Sequence, residues 1–559
     1  MSSLDSWLYG GDPAQNLCQA AVFQSLRAKV GEGYFERFLQ ESLLDNPHHA
    51  RLCMLPSHTL GQENREKEQA RLQALRAGWD ASTAASVMDR FQQLRAHQEA
   101  PDTPEQLACL PVLSLSDIPE TVRDIPQVIK TVEGTPLLHQ NVDTGGIVYL
   151  DLYFSLADIP QEKLSQVSFL SKLLGQTATE HYGVIELRSE IESNLGRFSA
   201  APMVFSPHGQ PSQASPYLAV SVSLLEGKKA DAVRLIGEVL NASLFHDQQY
   251  IYHLLHQSRM NLEQSVVLAG NSFAAHRALA GFSAAGAVSE AFQGIDFLRW
   301  MQKTDRSFEA RAEALCSELA RLSQMLFTRE RLTVSVTGPC DTVWVSQVIR
   351  TLPSAQMGEA AEYSSAPVRR EGFLIPAEVG FAAKAGSLGA VSARYTGQAR
   401  VAAQLLTYGY LWNTIRVKGG AYGTSLNVQA DGGVSLTSYR DPSAAQSLRS
   451  FDGAGAALRE VCDSGEMLDK YIISTIAAVE PLLTPRQEGL YAAIYHFTGR
   501  TREDRQRLRR EILHTTREDL AAFSRTLDAL CSRSGICVIG GKRILDECSG
   551  ALDSVEPLQ

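Results

Sequence analysis

The chain's clearest patterns of apolar and polar positions are those of strands. Ile147-Val-Tyr-Leu-Asp-Leu-Tyr-Phe154 is apolar, β-branched and aromatic, as a core strand requires. Leu218, Val220, Val222 and Leu224 alternate with Ala219, Ser221 and Ser223, so one face is apolar and the other small and polar. Leu332-Thr-Val-Ser-Val-Thr337 reads as a third strand, closed by the Gly338-Pro339 stop, with long helical stretches between it and the second. The same order returns further along the chain. Strands are predicted near 373–382, at Val434–Tyr439 and at Gly535–Ile539, with a helix ending at Arg416. The expected fold class is therefore α+β, with two successive α/β domains of mixed sheet packed by helices, over 130–345 and 365–550.

What precedes them has a different texture. Residues 1–55 read as helix, loop and helix, followed by one strand at Ala50–Leu55 after the turn Leu43-Leu-Asp-Asn-Pro-His48, which is too little for a sheet. Gln62–Gly78 and Ala81–Gln98 are charged and rich in Ala, Gln and Arg, with Gly78-Trp-Asp80 as the break. That predicts an exposed helical hairpin, and residues 56–129 read as hairpin plus extended linker.

At 559 residues, 44% hydrophobic and 20% charged, the sequence calls for several globular domains and no long disordered tract. A net charge of -10 repels phosphate backbones, which argues against nucleic acid as a partner. The nine cysteines include no C-x-x-C pair, so reduced thiols in a cytoplasmic protein are expected rather than a disulfide framework or a thiolate zinc site. The first residues carry neither a basic start nor an apolar core of a secretory signal, although a chain beginning inside a larger protein would lack one too. With no stretch near the ~20 apolar residues that span a bilayer, no membrane partner is expected.

None of the thirteen histidines falls in H-E-x-x-H or H-x-x-E-H. His253 and His256 have helical i, i+3 spacing but no evident third ligand, and Glu180-His181 reads as a turn. Nucleophile-elbow, P-loop and dinucleotide patterns are absent as well. The segment that stands out is Ile415-Arg-Val-Lys-Gly-Gly-Ala-Tyr-Gly423. Gly419 and Gly420 suit a helix cap with positive φ, and Arg416 and Lys418 suit the negative end of the helix dipole. Helix termination leaves Tyr422 unexplained. A phenol on a glycine-flanked turn can approach a ligand closely and donate to a developing oxyanion, while an arginine six residues earlier can hold a carbonyl or orient the phenol.

Trp7-Leu-Tyr-Gly-Gly-Asp-Pro13, Leu43–His48, Leu113-Ser-Leu-Ser-Asp-Ile-Pro119, Tyr149–Phe154, Phe282-Ser-Ala-Ala-Gly286, Arg416–Gly423 and Ser438-Tyr-Arg-Asp-Pro442 together resemble the pitrilysin and insulysin superfamily of zinc peptidases, in its presequence-protease subgroup. The resemblance covers nearly the whole chain. It implies an enzyme of two halves, each of two α/β domains, closing like a clamshell on an unfolded peptide. It also implies that this chain is the carboxy-terminal, zinc-free half, with residues 1–55 as the tail of the preceding domain. The helix equivalent to the zinc helix should lie near Val167–Leu174, where serine, lysine and leucines stand in place of ligands. Zinc is then expected in the complementary half, with no metal bound here.

Carried over residue by residue, the family's arginine and tyrosine that reach the zinc site match Arg416 and Tyr422, expected to position substrate and to stabilise the tetrahedral intermediate. Lys418, Gly419, Gly420, Tyr439 and Arg440 are the expected substrate-binding residues, with a purely structural role for Ser438–Pro442 left open. Ser272, His276 and Arg277 have a helical packing role as the favoured reading. Expected partners are unstructured peptide substrates and the zinc-bearing half. The alternatives are a separately encoded peptide-binding subunit that heterodimerises with a zinc-bearing chain, or a degenerate relative.

Overall fold

The computed structural model describes residues 2–17, 19–57, 59–100, 102–208, 210, 212–464 and 467–558. The chain divides into two compact units, Met1–Pro111 and Val112–Gln559. The first is helical, and the predicted hairpin is present as Leu60–Ala77 and Ala81–Glu99. Asp80 starts the second arm by accepting the Thr83 N–H at 2.7 Å, an N-cap that sets where the chain reverses. The strand expected at Ala50–Leu55 is not formed. That stretch is exposed coil, because no neighbouring strand offers its backbone a ladder.

The second unit holds two six-stranded mixed sheets. The first comprises β1 (Val128–Val132), β2 (Thr135–Gln140), β3 (Ile147–Ser155), β4 (Arg197–Phe205), β5 (Ser215–Leu225) and β6 (Leu332–Thr337), in the order β1-β2-β6-β3-β5-β4. The second comprises β7 (Arg370–Leu374), β8 (Gly380–Ser387), β9 (Gly423–Val428), β10 (Gly433–Asp441), β11 (Gly535–Gly540) and β12 (Ser554–Pro557), in the order β12-β7-β11-β8-β10-β9. Five strands of each sheet correspond in order and direction. β2 runs parallel to β6 as β7 does to β11, and the remaining central neighbours are antiparallel in both. Only the outer edge differs. It is filled by the incoming hairpin strand β1 in one sheet and by the chain's end, β12, in the other.

The strand expected over 373–382 is two strands. Pro376, lacking an N–H, falls in a turn that separates β7 from β8. β12 has no signature in the sequence, since four exposed residues give no alternation to read.

Each sheet buries one face against helices of its own lobe. Leu150, Leu152 and Phe154 meet Val167, Leu170 and Leu319 in the first; Leu436 and Val538 meet Leu405, Phe451 and Leu527 in the second. The other faces are covered by exchange. The long helix Gln248–Leu279, of the first lobe, lays Val266, Phe273 and Ala274 on Phe381, Ala383 and Cys537 of the second sheet. In return, Pro485–Thr498 of the second lobe lays Ala493 and Phe497 on Leu138, Tyr153 and Phe205 of the first. Both crossing helices bring a glycine to the contact. A Cβ on Gly270 would lie 2.4 Å from the Phe381 ring, and one on Gly489 would lie 1.8 Å from Thr337 Oγ1. The long helix also kinks at Ala269, where φ is −133° and ψ is 38°. Among the described residues, no helix is long and apolar enough to cross a membrane.

Candidate functional site

The helix Gly397–Leu405 continues without a break into a π-helical stretch, Leu406–Lys418. Such long i→i+5 winding is rare and concentrates at functional sites. It ends in a double-bonded cap. The Ala421 N–H donates to Ile415 O at 3.1 Å and the Gly420 N–H to Arg416 O at 3.0 Å, each bond one residue wider than in the Schellman pairing, as the π-helical winding before them requires. Of the two glycines only Gly420 has positive φ, at 79°. Gly419, expected to share that conformation, is right-handed with φ −86°. Its reason is space, since a Cβ there would stand 2.6 Å from Ile415 O.

The turn delivers Tyr422 to the start of β9, where its N–H donates to Tyr439 O at 2.9 Å. β10 is bulged between Ser438 and Asp441, and Arg440 in the bulge has φ 47°. A bulge of this kind re-aims side chains at a strand's end. A row of cations and rings results. The Arg416 guanidinium lies 4.0 Å from the Trp412 ring centroid and 5.8 Å from that of Tyr422. Tyr422 meets Tyr439 edge-to-face at 5.8 Å and 74°, and the Arg440 guanidinium lies 5.5 Å from the Tyr439 ring. Contacts of this type contribute roughly 0.5–2 kcal/mol each and fix orientation more than they add stability.

Within the row, the Arg416 side chain forms no hydrogen bond or ion pair among the described residues, so its charge is held by rings alone. Tyr422 is 67% exposed, and its hydroxyl likewise has no partner among them. An oriented cation beside an exposed phenol is a ready pair of donors for an oxyanion or a carbonyl. Six of the seven residues expected at this site thus come together. Lys418 stays outside the row, exposed at the helix end, and makes no ion pair among the described residues. Trp412 is the member that sequence reasoning misses. Its signal lies in the i, i+4 spacing from Arg416, which puts ring and guanidinium on one face.

The helix expected near Val167–Leu174 is Leu164–Leu173. It carries Ser165, Gln166, Ser168, Ser171 and Lys172, and no thiolate, imidazole or carboxylate. These side chains do not suit zinc, which takes sulfur, nitrogen or carboxylate ligands. Among the described residues no group of three histidine, cysteine, aspartate or glutamate side chains is placed to hold a metal ion. His256 pairs with Asp305 at 3.2 Å and His181 with Glu238 at 3.0 Å. Arg277 is buried among Glu290, Asp296 and Glu371, in the packing role favoured for it, while Ser272 and His276 line a cavity between their helix and the β9–β10 pair.

Two families match the chain. One is the domain associated with subfamily C of the M16 peptidases, over residues 54–303, and the other is the "PreP C-terminal domain", over residues 370–541. Among individual proteins, the chain is 26% identical over 558 residues to Protein HypA of Clostridium perfringens, covering 99% of this chain and 57% of that protein. It is 27% identical over 557 residues to presequence protease 1 of Arabidopsis thaliana, covering 98% of this chain and 52% of that protein. The chain therefore spans just over half the length of these relatives. Its fold is similar to a peptidase M16 inactive domain from Pseudomonas fluorescens, with TM-score 0.51 and 12% identity over 78% of this chain and 100% of that one. It is also similar to a conserved protein from Enterococcus faecalis, with TM-score 0.52 and 14% identity over 74% and 99% of the two chains.

Proposed function

The chain belongs to the presequence-protease group of the M16 peptidases, as the carboxy-terminal half without the zinc motif, and from that premise we propose that it closes with a zinc-bearing half around unstructured peptides and takes part in their hydrolysis. The observation that carries this reading is the exposed phenol of Tyr422 beside the ring-held cation of Arg416. Zinc bound in the complementary half supplies Lewis-acid polarisation of the scissile carbonyl and a water acidified toward hydroxide.

The residues of this chain act on the same carbonyl group. Tyr422 donates its O–H to the oxyanion as the carbonyl becomes tetrahedral, an interaction stronger in the transition state than in the bound peptide. Arg416, clamped between Trp412 and Tyr422, holds the phenol's direction and offers N–H donors to a substrate carbonyl. Gly420 keeps the turn bare, so that peptide backbone can pass close to it. Tyr439, Arg440, Lys418 and Gly419 border that path. On this reading the chain alone is hydrolytically inert.

The test is Tyr422→Phe, assayed with the zinc-bearing half present and an unstructured peptide as substrate. The phenyl ring keeps its contacts with Arg416 and Tyr439 and loses only the donor. The expected result is a fall in kcat of about 10²- to 10³-fold with little change in KM. Undiminished turnover removes Tyr422 from the mechanism.

A further inference from the structure

Between the two lobes lies a cavity of about 560 Å³, inside the range of roughly 300–1,000 Å³ usual for ligand sites. One wall is the polar face of the β9–β10 pair. Ser425 stands opposite Thr437, and Asn427 opposite Ser435, with the Ser425 and Thr437 hydroxyls 2.9 Å apart. Ser435 and Thr437 are only 3% and 5% exposed, so hydroxyls are buried here where an ordinary core would be apolar, while Asn427 is exposed at the rim. The opposing wall is the long helix, with Asn271 and His276.

Two arginines complete the lining, and among the described residues no aspartate or glutamate contributes to it. Arg400 is anchored by donation from Nη1 to Val428 O at 2.9 Å, while its Nε–H is buried with no acceptor among the described residues. Arg500 rests against the Tyr495 ring at 5.9 Å, and its Nε–H is likewise buried and without a partner among the described residues. Arg500 also borders a smaller apolar pocket, but the two acids there are committed elsewhere, Glu480 to Arg509 and Glu488 to Arg123. In a chain of net charge -10, two guanidinium groups without a carboxylate are an anomaly that a bound anion would resolve.

The cavity shares His276, Leu279, Gln429 and Ala430 with a second compartment of about 400 Å³, where Met203, Phe205 and Ile494 supply apolar surface. The acid of that compartment, Asp431, accepts the Gly433 N–H at 2.9 Å. The two compartments together match an extended ligand with a carboxylate at one end and an apolar side chain next to it. We infer that this paired cavity is a second binding site, which takes a carboxylate carried by a peptide between Arg400 and Arg500 and seats an adjacent apolar residue in the second compartment. The anion chemistry stands on the cavity alone; that a peptide carries the carboxylate rests on the function proposed above.

The carboxylate has two possible sources, a peptide's terminus or an acidic side chain, and binding separates them. Isothermal titration of the full chain would compare four probes: a short apolar peptide acid, its carboxamide, the carboxamide with one internal glutamate, and inorganic phosphate. The site predicts binding of the acid or the glutamate peptide at least about tenfold tighter than the plain carboxamide, and whichever binds identifies the source. Arg500→Gln should weaken that binding by a similar factor, and Asn271→Ala gives a second variant should the first not fold. Equal affinity for acid and plain carboxamide, or binding of phosphate alone, overturns the inference. Because binding is read without turnover, failure of the Tyr422 assay and failure of this site are distinguishable.

Discussion

Glu290 is the most deeply buried of three acids that crowd Arg277. One oxygen accepts the N–H groups of Ile295 and Asp296 at 2.9 and 3.2 Å, and the other has no partner. Arg277 is satisfied mainly by Asp296 and Glu371, at 2.8 and 2.7 Å, against 3.4 Å to Glu290. Burial, only partly offset by the arginine, pushes the Glu290 carboxyl up to about 7 from 4.5. Below pH 4.5 the group is protonated in both folded and unfolded chains. Above it the unfolded chain releases the proton first, so stability from this group falls until about pH 7 and is then flat. The expected loss is up to roughly 3 kcal/mol. Chemical denaturation of the wild type and Glu290→Gln at pH 5 and pH 8 should show a gap that changes with pH in that direction; parallel behaviour would rule the group out. At this scale Arg416 and Tyr422 are legible in the sequence because a helix cap cannot explain a tyrosine. Glu290 is not, because burial is a property of the packed helices and not of the residue.

The elements that can be read are those whose pattern is local. β3, β5 and β6 follow from alternation and β-branching within one segment, and the hairpin Leu60–Ala77 to Ala81–Glu99 follows from composition with a break at Gly78. β12 and the division of β7 from β8 depend on partners far along the chain or on a single proline, and neither is visible in periodicity. The π-helical winding of Leu406–Lys418 is hidden for the same reason, since an apolar stripe does not distinguish i→i+4 from i→i+5. The glycines of the crossing helices also escape sequence reading, as glycine in a helix is locally unfavourable. Gly489→Ala gains about 1 kcal/mol of helix propensity, but the added carbon must displace Thr337, whose hydroxyl donates to Gln140 at 3.0 Å. Overpacking of about 1–3 kcal/mol plus the loss of that hydrogen bond, about 1 kcal/mol, should win. A net destabilisation of roughly 1–3 kcal/mol in urea is expected, and a gain in stability would mean the contact is loose.

For the molecule as a whole, the α+β class and the mixed sheets are legible, and the exchange of helices is not. Each crossing helix buries apolar side chains against a surface that its own lobe does not contain. The Phe497 ring lies 4.9 Å from both Tyr153 and Phe205 and 4.6 Å from Tyr217. Phe497→Ala should cost roughly 2–3 kcal/mol, the low end for phenylalanine because the ring is only half-buried. Calorimetry should show the whole Val112–Gln559 transition moving down as one, since neither lobe keeps its second face covered without the other. Separation into two peaks would mean that each lobe is stable by itself.

The crossed helices also set the mechanics of the unit. A bend between the sheets would have to pull Gly270 off Phe381 and Gly489 off Thr337 at once, peeling apart two close contacts. The pair of lobes is braced like a girder, and on the function proposed above, the gape that admits a peptide comes from swinging the girder entire.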